Sequence, residues 1–117
     1  MAQDGTASVI LVLTTLPDGE QARRAVRALV DRRLVACGTV IDPVVSVYRW
    51  EGQVEEAAEA QVILKTRREC WEALRNALAE LHPYDVPEVL LLPVETGLPA
   101  YLAWVGAETV SEGGGGG

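Results

Sequence analysis

The pattern of hydrophobic and polar positions changes its period several times along the chain. An unbroken apolar run over residues 8–15 predicts a strand buried on both faces, because it is short and rich in β-branched side chains. Asp18 and Gln21 then form a capping pair, and apolar residues recur at helical spacing over residues 22–29. This first half predicts a strand followed by an amphipathic helix.

The middle of the chain predicts a long hairpin. Extended patterns cover residues 34–41 and 44–50, with a bend or bulge at Asp42 and Pro43 between them. The residues at 51–52 supply a tight turn, and a third strand follows over residues 53–66. At about 3.3 Å per residue this strand would span about 45 Å, so we expect the hairpin to overhang its own domain.

Two helices and one more strand are predicted in the last third. Thr66 and Glu69 form a capping box for a second helix, which ends before Pro83 because proline disfavours helix in the preceding residue. A fourth strand covers residues 88–94, and Pro99 opens a short third helix.

The order of these elements predicts an α+β fold, a ferredoxin-like βαββαβ sandwich with an extra C-terminal helix. Proline cannot donate to a strand ladder, so the strands containing Pro43 and Pro93 are expected at the sheet edges, as in the antiparallel order 4-1-3-2. We predict one domain over residues 8–110, a disordered N-terminus over 1–7 and a disordered glycine-rich tail over 111–117.

Composition narrows the function. The chain has 117 residues, 49% of them hydrophobic, which supports one packed domain. With 10 basic against 17 acidic residues, a net charge of −7 and a single lysine, it is a poor partner for nucleic acid. No apolar run reaches the roughly 20 residues of a membrane-spanning helix, and no secretion signal is evident. We expect a soluble cytoplasmic protein with no membrane partner.

The hairpin carries more apolar side chains near its tip than one layer of helices can cover. We therefore predict a closed homo-oligomer in which the hairpin of one subunit completes the sheet of a neighbour. The alternative is a shorter third strand that frays over residues 55–58. Four aromatic residues are expected to pack between subunits, with a stacking site for a small molecule as the alternative: Tyr48, Trp50, Tyr101 and Trp104.

Five segments carry a recognisable pattern: LVACGTV, SVYRWEGQVEE, ILKT, LHPYDVPEVLLLPV and YLAWV. Together they resemble the CutA family of divalent-cation tolerance proteins, over roughly Val9 to Thr109. The resemblance implies a homotrimer of ferredoxin-like subunits, related in architecture to the PII signalling proteins. It also implies binding of copper or another divalent cation and a role in metal tolerance, with no agreed enzymatic reaction.

The chain departs from the family pattern at two places. Where the family often has Ala-Cys-Val-Asn, this chain has Ala-Cys-Gly-Thr at residues 36–39, so Thr39 lacks the amide of asparagine. Where the family has His-Pro-Tyr-Glu, the last residue is Asp85, which keeps the charge on a shorter side chain.

Two residues are the predicted metal ligands. Cys37 is carried over from the Ala-Cys element, and its thiolate is a soft ligand suited to copper; the alternative is a small buried hydrophobe on a strand. His82 lies at a helix end, where it would ligate a metal or titrate near neutral pH, or only cap the helix. Cys70, on the apolar side of the second helix, is predicted to pack in the core. The chain has one histidine, so only an assembly of copies would pool several imidazoles.

A cleft between subunits is the predicted setting of the site. Besides His82, the cleft would contain Glu59, Lys65, Tyr84 and Glu88. The acidic oxygens would suit hard cations, and the lone lysine would bind an anion. The alternative explanation for the carboxylates is a solvated strand face. The alternative explanation for the lysine is a salt bridge.

Three functions remain open at this point. The first is a trimeric metal-tolerance protein that binds copper or another divalent cation. The second is a PII-like sensor or scaffold that binds an anionic metabolite in the intersubunit cleft. The third is a small lyase or isomerase with His82 as base and Tyr84 or Glu88 as acid, although no catalytic set is evident and we expect no enzyme.

Overall fold

A four-stranded antiparallel sheet in the order β2-β3-β1-β4 organises the protein. The computed structural model describes residues 8–111, and the predicted disorder of residues 1–7 and 112–117 lies outside them. The strands are β1 (Val9–Leu16), β2 (Cys37–Trp50), β3 (Gln53–Arg67) and β4 (Val89–Pro93). The helices are α1 (Gly19–Asp31), α2 (Trp71–Leu81) and α3 (Pro99–Ala107), with a 3-10 turn over Arg68–Cys70 before α2. The predicted ferredoxin-like fold and its sheet order are confirmed.

The core lies between one face of the sheet and helices α1 and α2. Side chains alternate along a strand, so β1 and β3 each send every second residue toward the helices. The fully buried strand residues of this core include Ile10, Val12, Val62 and Leu64, and the helices contribute Ala22, Leu29, Leu74 and Leu78. Cys70 is also fully buried, as predicted.

The helix starts differ in how they are capped. The carboxylate of Asp18 accepts a hydrogen bond of 2.9 Å from the backbone N–H of Gln21, as predicted, and this bond lowers the pKa of Asp18. The capping box predicted at Thr66 is wrong. Because β3 continues to Arg67, Thr66 is fully buried in the strand, and its hydroxyl donates to the Leu34 carbonyl at 2.7 Å.

The hairpin of β2 and β3 ends in a two-residue turn. Glu51 and Gly52 both have positive φ, at 51° and 80°, as a type I′ turn requires. A register shift between Ile41 and Val44 marks the predicted bulge. The pairing continues to the turn, so the strand does not fray over residues 55–58. Because β1 pairs with β3 only as far as Ala60, the end of the hairpin projects beyond the sheet, and the molecule is 47 Å long.

The sheet face turned away from α1 and α2, here called the open face, is apolar. By the strand register it presents Leu11, Leu13, Ile63, Leu90 and Leu92. Helix α3 covers only one end of it, where Val105 packs against Val9 and Ala36. Leu90 and Leu92 stay 53% and 39% exposed, so much apolar surface of the open face remains in contact with water.

Two arginines hold the chain in place after α3. The guanidinium of Arg33 donates to the carbonyls of Ala107 and Glu108, at 3.1 and 3.3 Å. That of Arg67 donates to the hydroxyl and carbonyl of Thr109, at 2.7 and 2.9 Å. These bonds satisfy carbonyls at the helix end that have no partner within the helix.

Candidate binding groove

A groove of about 750 Å³ lies between the hairpin and the loop that leads into β4. It brings together five residues predicted for the cleft or the interface: Tyr48, Trp50, Glu59, Tyr84 and Glu88. The hairpin positions the first three, since Tyr48 and Trp50 share a strand face and Glu59 lies on the neighbouring strand. The loop after α2 positions the other two.

The contact that joins the two walls of the groove is between Tyr84 and Glu59. The Tyr84 hydroxyl donates a hydrogen bond of 2.6 Å to the Glu59 carboxylate, a short, charge-assisted bond. Burial, together with this bond, raises the pKa of Tyr84 well above its usual value of 10. The phenol therefore stays protonated and holds the carboxylate in one orientation.

His82 lies behind Tyr84, with the two ring centroids 4.9 Å apart. Its Nε2 is 3.0 Å from the hydroxyl of Thr14, and its Nδ1 is enclosed without a hydrogen-bond partner among residues 8–111. Burial lowers the pKa of His82 below 6.5, against the smaller opposing effects of the Thr15 carbonyl and the Glu59 charge. The imidazole is therefore neutral near pH 7 and packed under the groove.

The lowered pKa of His82 predicts that stability falls in mild acid. Between 6.5 and the folded pKa, the unfolded chain binds a proton that the folded chain does not. The His82 contribution is thus complete above 6.5 and is lost as the pH falls through the folded pKa. We expect the Tm to drop between about pH 7 and about pH 5, and this drop to be smaller in His82→Gln.

Thermal unfolding followed by circular dichroism at closely spaced pH values checks this expectation. The assignment is direct because the chain has no second histidine to titrate in this range. An unchanged pH slope in His82→Gln would show that another group causes the loss.

The other predicted site residues lie outside the groove. Cys37 is opposite Lys65 in the register, on the open face, and its Sγ is 3.7 Å from the Tyr101 hydroxyl. Thr14, which contacts His82, belongs to the buried face and lies three residues further along the sheet. One chain therefore places Cys37 and His82 on opposite faces, and their joint role as ligands stays a prediction that needs more than one copy.

The aromatic pair on α3 is also separate from the groove. The rings of Tyr101 and Trp104 have centroids 5.5 Å apart, and both side chains are about two-fifths exposed, at 42% and 41%.

In the part of the chain that the structure describes, no group of three or more His, Cys, Asp or Glu side chains is arranged to hold a metal ion. None of its helices has both the length and the apolar character needed to cross a membrane.

Sequence reasoning missed one residue beneath the groove, which contacts His82, and one residue that lines it. Thr14 is a polar residue within an apolar strand, and that position was the available signal for a buried hydrogen-bonding role. Asp85 was recognised only as a departure from the family pattern, yet it lines the groove together with Glu88. The spacing of residues along the sequence did not predict that this loop lies close to the hairpin.

Comparison with known proteins gives a consistent result. The model of the CutA1 divalent ion tolerance protein family matches residues 10–108. A divalent-cation tolerance protein CutA from Pyrococcus horikoshii is 43% identical over 101 residues, covering 86% of this chain and 98% of that protein. One from Thermus thermophilus is 39% identical over 99 residues, covering 85% and 96%. The crystal structure of CutA1 from Oryza sativa matches with a TM-score of 0.88 and 36% identity, covering 92% of this chain and 98% of that one.

Proposed function

Because the chain belongs to the CutA1 family of divalent ion tolerance proteins, we propose that it acts in metal tolerance by binding divalent cations, copper among them, as a cytoplasmic homotrimer. The family match over residues 10–108 is the observation that carries this proposal. Relatives of nearly the same length are named for divalent-cation tolerance and not for a reaction, which favours a binding protein over an enzyme.

The open face supports the homotrimer. A water-exposed row of leucines on a sheet is unfavourable unless another surface covers it, and Leu90 and Leu92 are 53% and 39% exposed in one chain. The exposed pair Tyr101 and Trp104 adjoins the same end of the sheet through α3. Covering these groups with identical copies would give a closed assembly.

The proposed cation sites use ligands from more than one copy. Cys37 is half-buried on the open face, so it would reach a neighbouring copy in an assembly that covers this face. A thiolate there favours copper, as a soft ligand. The carboxylates of Glu59 and Glu88 would offer oxygen ligands to harder cations. His82 would join a site only if its ring turned away from Thr14.

Calorimetric titration with copper tests the proposal. We expect Cys37→Ser to weaken copper binding about tenfold or more, equivalent to about 1.4 kcal/mol, because a hydroxyl replaces the soft ligand. Cys70→Ala is the matched control and should leave the affinity unchanged, since Cys70 is fully buried in the turn before α2. Equal copper affinity in Cys37→Ser and the unaltered protein would remove Cys37 from the site.

A further inference from the structure

We propose that a second groove, on the helix side of the sheet, binds an organic anion: a carboxylate carried on an apolar carbon skeleton. This helix-side groove has a volume of about 420 Å³ and lies between the side of α1 from Arg23 to Asp31 and the strand residues Gly38 and Val40. Its ligand has the opposite charge to the divalent cations of the proposed function, so the inference does not depend on metal binding.

The helix-side groove lies on the face of the sheet opposite the open face. Gly38 and Val40 are paired with Leu64 and Val62, whose side chains belong to the core under the helices. Leu64 and Val62 also pair with β1, so this part of β2 lies over its own sheet and not in the projecting end of the hairpin. An assembly that covers the open face therefore leaves α1 on its outside.

Two arginines of α1 supply positive charge to this groove. Arg23 and Arg27 are one helical turn apart, both are exposed, and both line the groove. Within residues 8–111 neither forms an ion pair, whereas Arg24 beside them pairs with Glu20 at 3.1 Å. Like charges at this spacing repel each other. A carboxylate bound between the two guanidinium groups would neutralise both and accept their paired N–H donors.

The charge of the lining favours an anion. Asp31 is the one carboxylate among the described lining residues, so two arginines and one aspartate give the lining a charge of +1. Asp42 lies near Arg23, beside Gly19, but does not line the groove. Because the protein as a whole carries a net charge of −7, this is a local positive region on an otherwise acidic molecule.

The rest of the lining is apolar and suits a carbon skeleton. Val26, Val30 and Val40 line the groove, and Val30 is 37% exposed. Gly38 allows α1 to pack close to β2, since a Cβ there would lie 2.7 Å from a methyl of Val26. The volume of about 420 Å³ falls in the range of about 300–1,000 Å³ that pockets for small organic ligands occupy. An inorganic anion would leave this apolar surface in water, whereas an organic acid would cover it.

Nuclear magnetic resonance titration of the full chain with 4-phenylbutyrate tests the inference. Two matched probes separate its parts, because 4-phenylbutanamide has the same shape without the charge and acetate has the charge without the apolar skeleton. We expect 4-phenylbutyrate to bind in the millimolar range or tighter, and each matched probe to bind about tenfold more weakly. Equal binding of either matched probe, or no binding of 4-phenylbutyrate, would overturn the proposal.

Matched variants then locate the site. We expect Arg23→Gln and Arg27→Gln each to weaken 4-phenylbutyrate binding about five- to tenfold. The control is Arg75→Gln on α2, which removes the same charge from another exposed helix position and should bind normally. Substitutions at exposed helix positions change stability little, so these variants should fold. Normal binding in both α1 variants, or an equal loss in Arg75→Gln, would refute the site.

Val30→Glu separates this proposal from the homotrimer. The added carboxylate would repel the ligand and remove apolar contact, so we expect binding of 4-phenylbutyrate to fall about tenfold while the mass of the assembly stays unchanged. Unchanged binding in Val30→Glu would contradict the placement of the ligand against α1.

Discussion

Replacing Gly38 by valine is expected to destabilise the protein by about 1–3 kcal/mol. Gly38 lies in β2 opposite Leu64, on the face that packs under α1. A Cβ at this position would lie 2.7 Å from a methyl of Val26 and 2.8 Å from a methyl of Leu64. Neither neighbour can yield easily, because Leu64 is fully buried and Val26 packs against the same core. The family pattern often has valine here, so a substitution toward that pattern would be harmful in this chain.

Urea unfolding measures the effect, and a double variant tests its cause. Val26→Ala should relieve the overlap, so Gly38→Val combined with Val26→Ala is expected to be more stable than the sum of the single changes predicts. Thr39→Val, at the adjacent exposed position, serves as the control for a valine in this strand. A Gly38→Val protein as stable as the control would show that α1 can move aside.

Replacing Leu90 by glutamate is expected to convert the proposed homotrimer into single chains. Leu90 lies on the open face, opposite Leu13, and is 53% exposed in one chain. If copies cover this face, the glutamate would place an unpaired charge in an apolar contact, which is strongly unfavourable. We expect the concentration at which the protein dissociates to rise at least about a hundredfold.

Light scattering across a dilution series measures this change. Val30→Glu is the matched control, because Val30 is a partly exposed apolar residue on α1, on the side of the sheet away from the open face. The control should assemble like the unaltered protein. A Leu90→Glu protein with unchanged mass, or an unaltered protein that is a single chain at micromolar concentration, would contradict the proposed homotrimer.

The elements of the fold could be predicted because local signals agree with the global arrangement. The prolines at 43 and 93 correctly placed two strands at the edges, since a missing N–H is tolerated only there. Thr66 shows where local reasoning fails. Its spacing from Glu69 matches a capping box, but pairing with β1 and the buried hydrogen bond to the Leu34 carbonyl keep Thr66 in the strand, which continues past it. Tertiary pairing outweighed the local capping preference.

The groove could be predicted only in part. The family resemblance pointed to Tyr84, Glu59 and Glu88, and the structure brings these together. The resemblance did not indicate that Lys65 and Cys37 lie opposite each other on the sheet, outside the groove. That placement depends on strand register, which sequence spacing alone does not determine. The bond from Tyr84 to Glu59 joins residues 25 positions apart, and no periodic pattern signals such a contact.

The bulge in β2 has a consequence for changes in chain length. It contains one extra residue, because Asp42 and Pro43 between Ile41 and Val44 face a single residue of β3, and beyond it Tyr48 and Trp50 keep a fixed alternation opposite β3. A deletion within the bulge would make the ladder regular and leave both aromatic rings on the groove side. If the hairpin turn stays fixed, deleting Ser46 instead would move the side chains between Ser46 and the bulge to the opposite face of the sheet. Loss of a single codon should therefore be tolerated at the bulge and damaging only a few residues later.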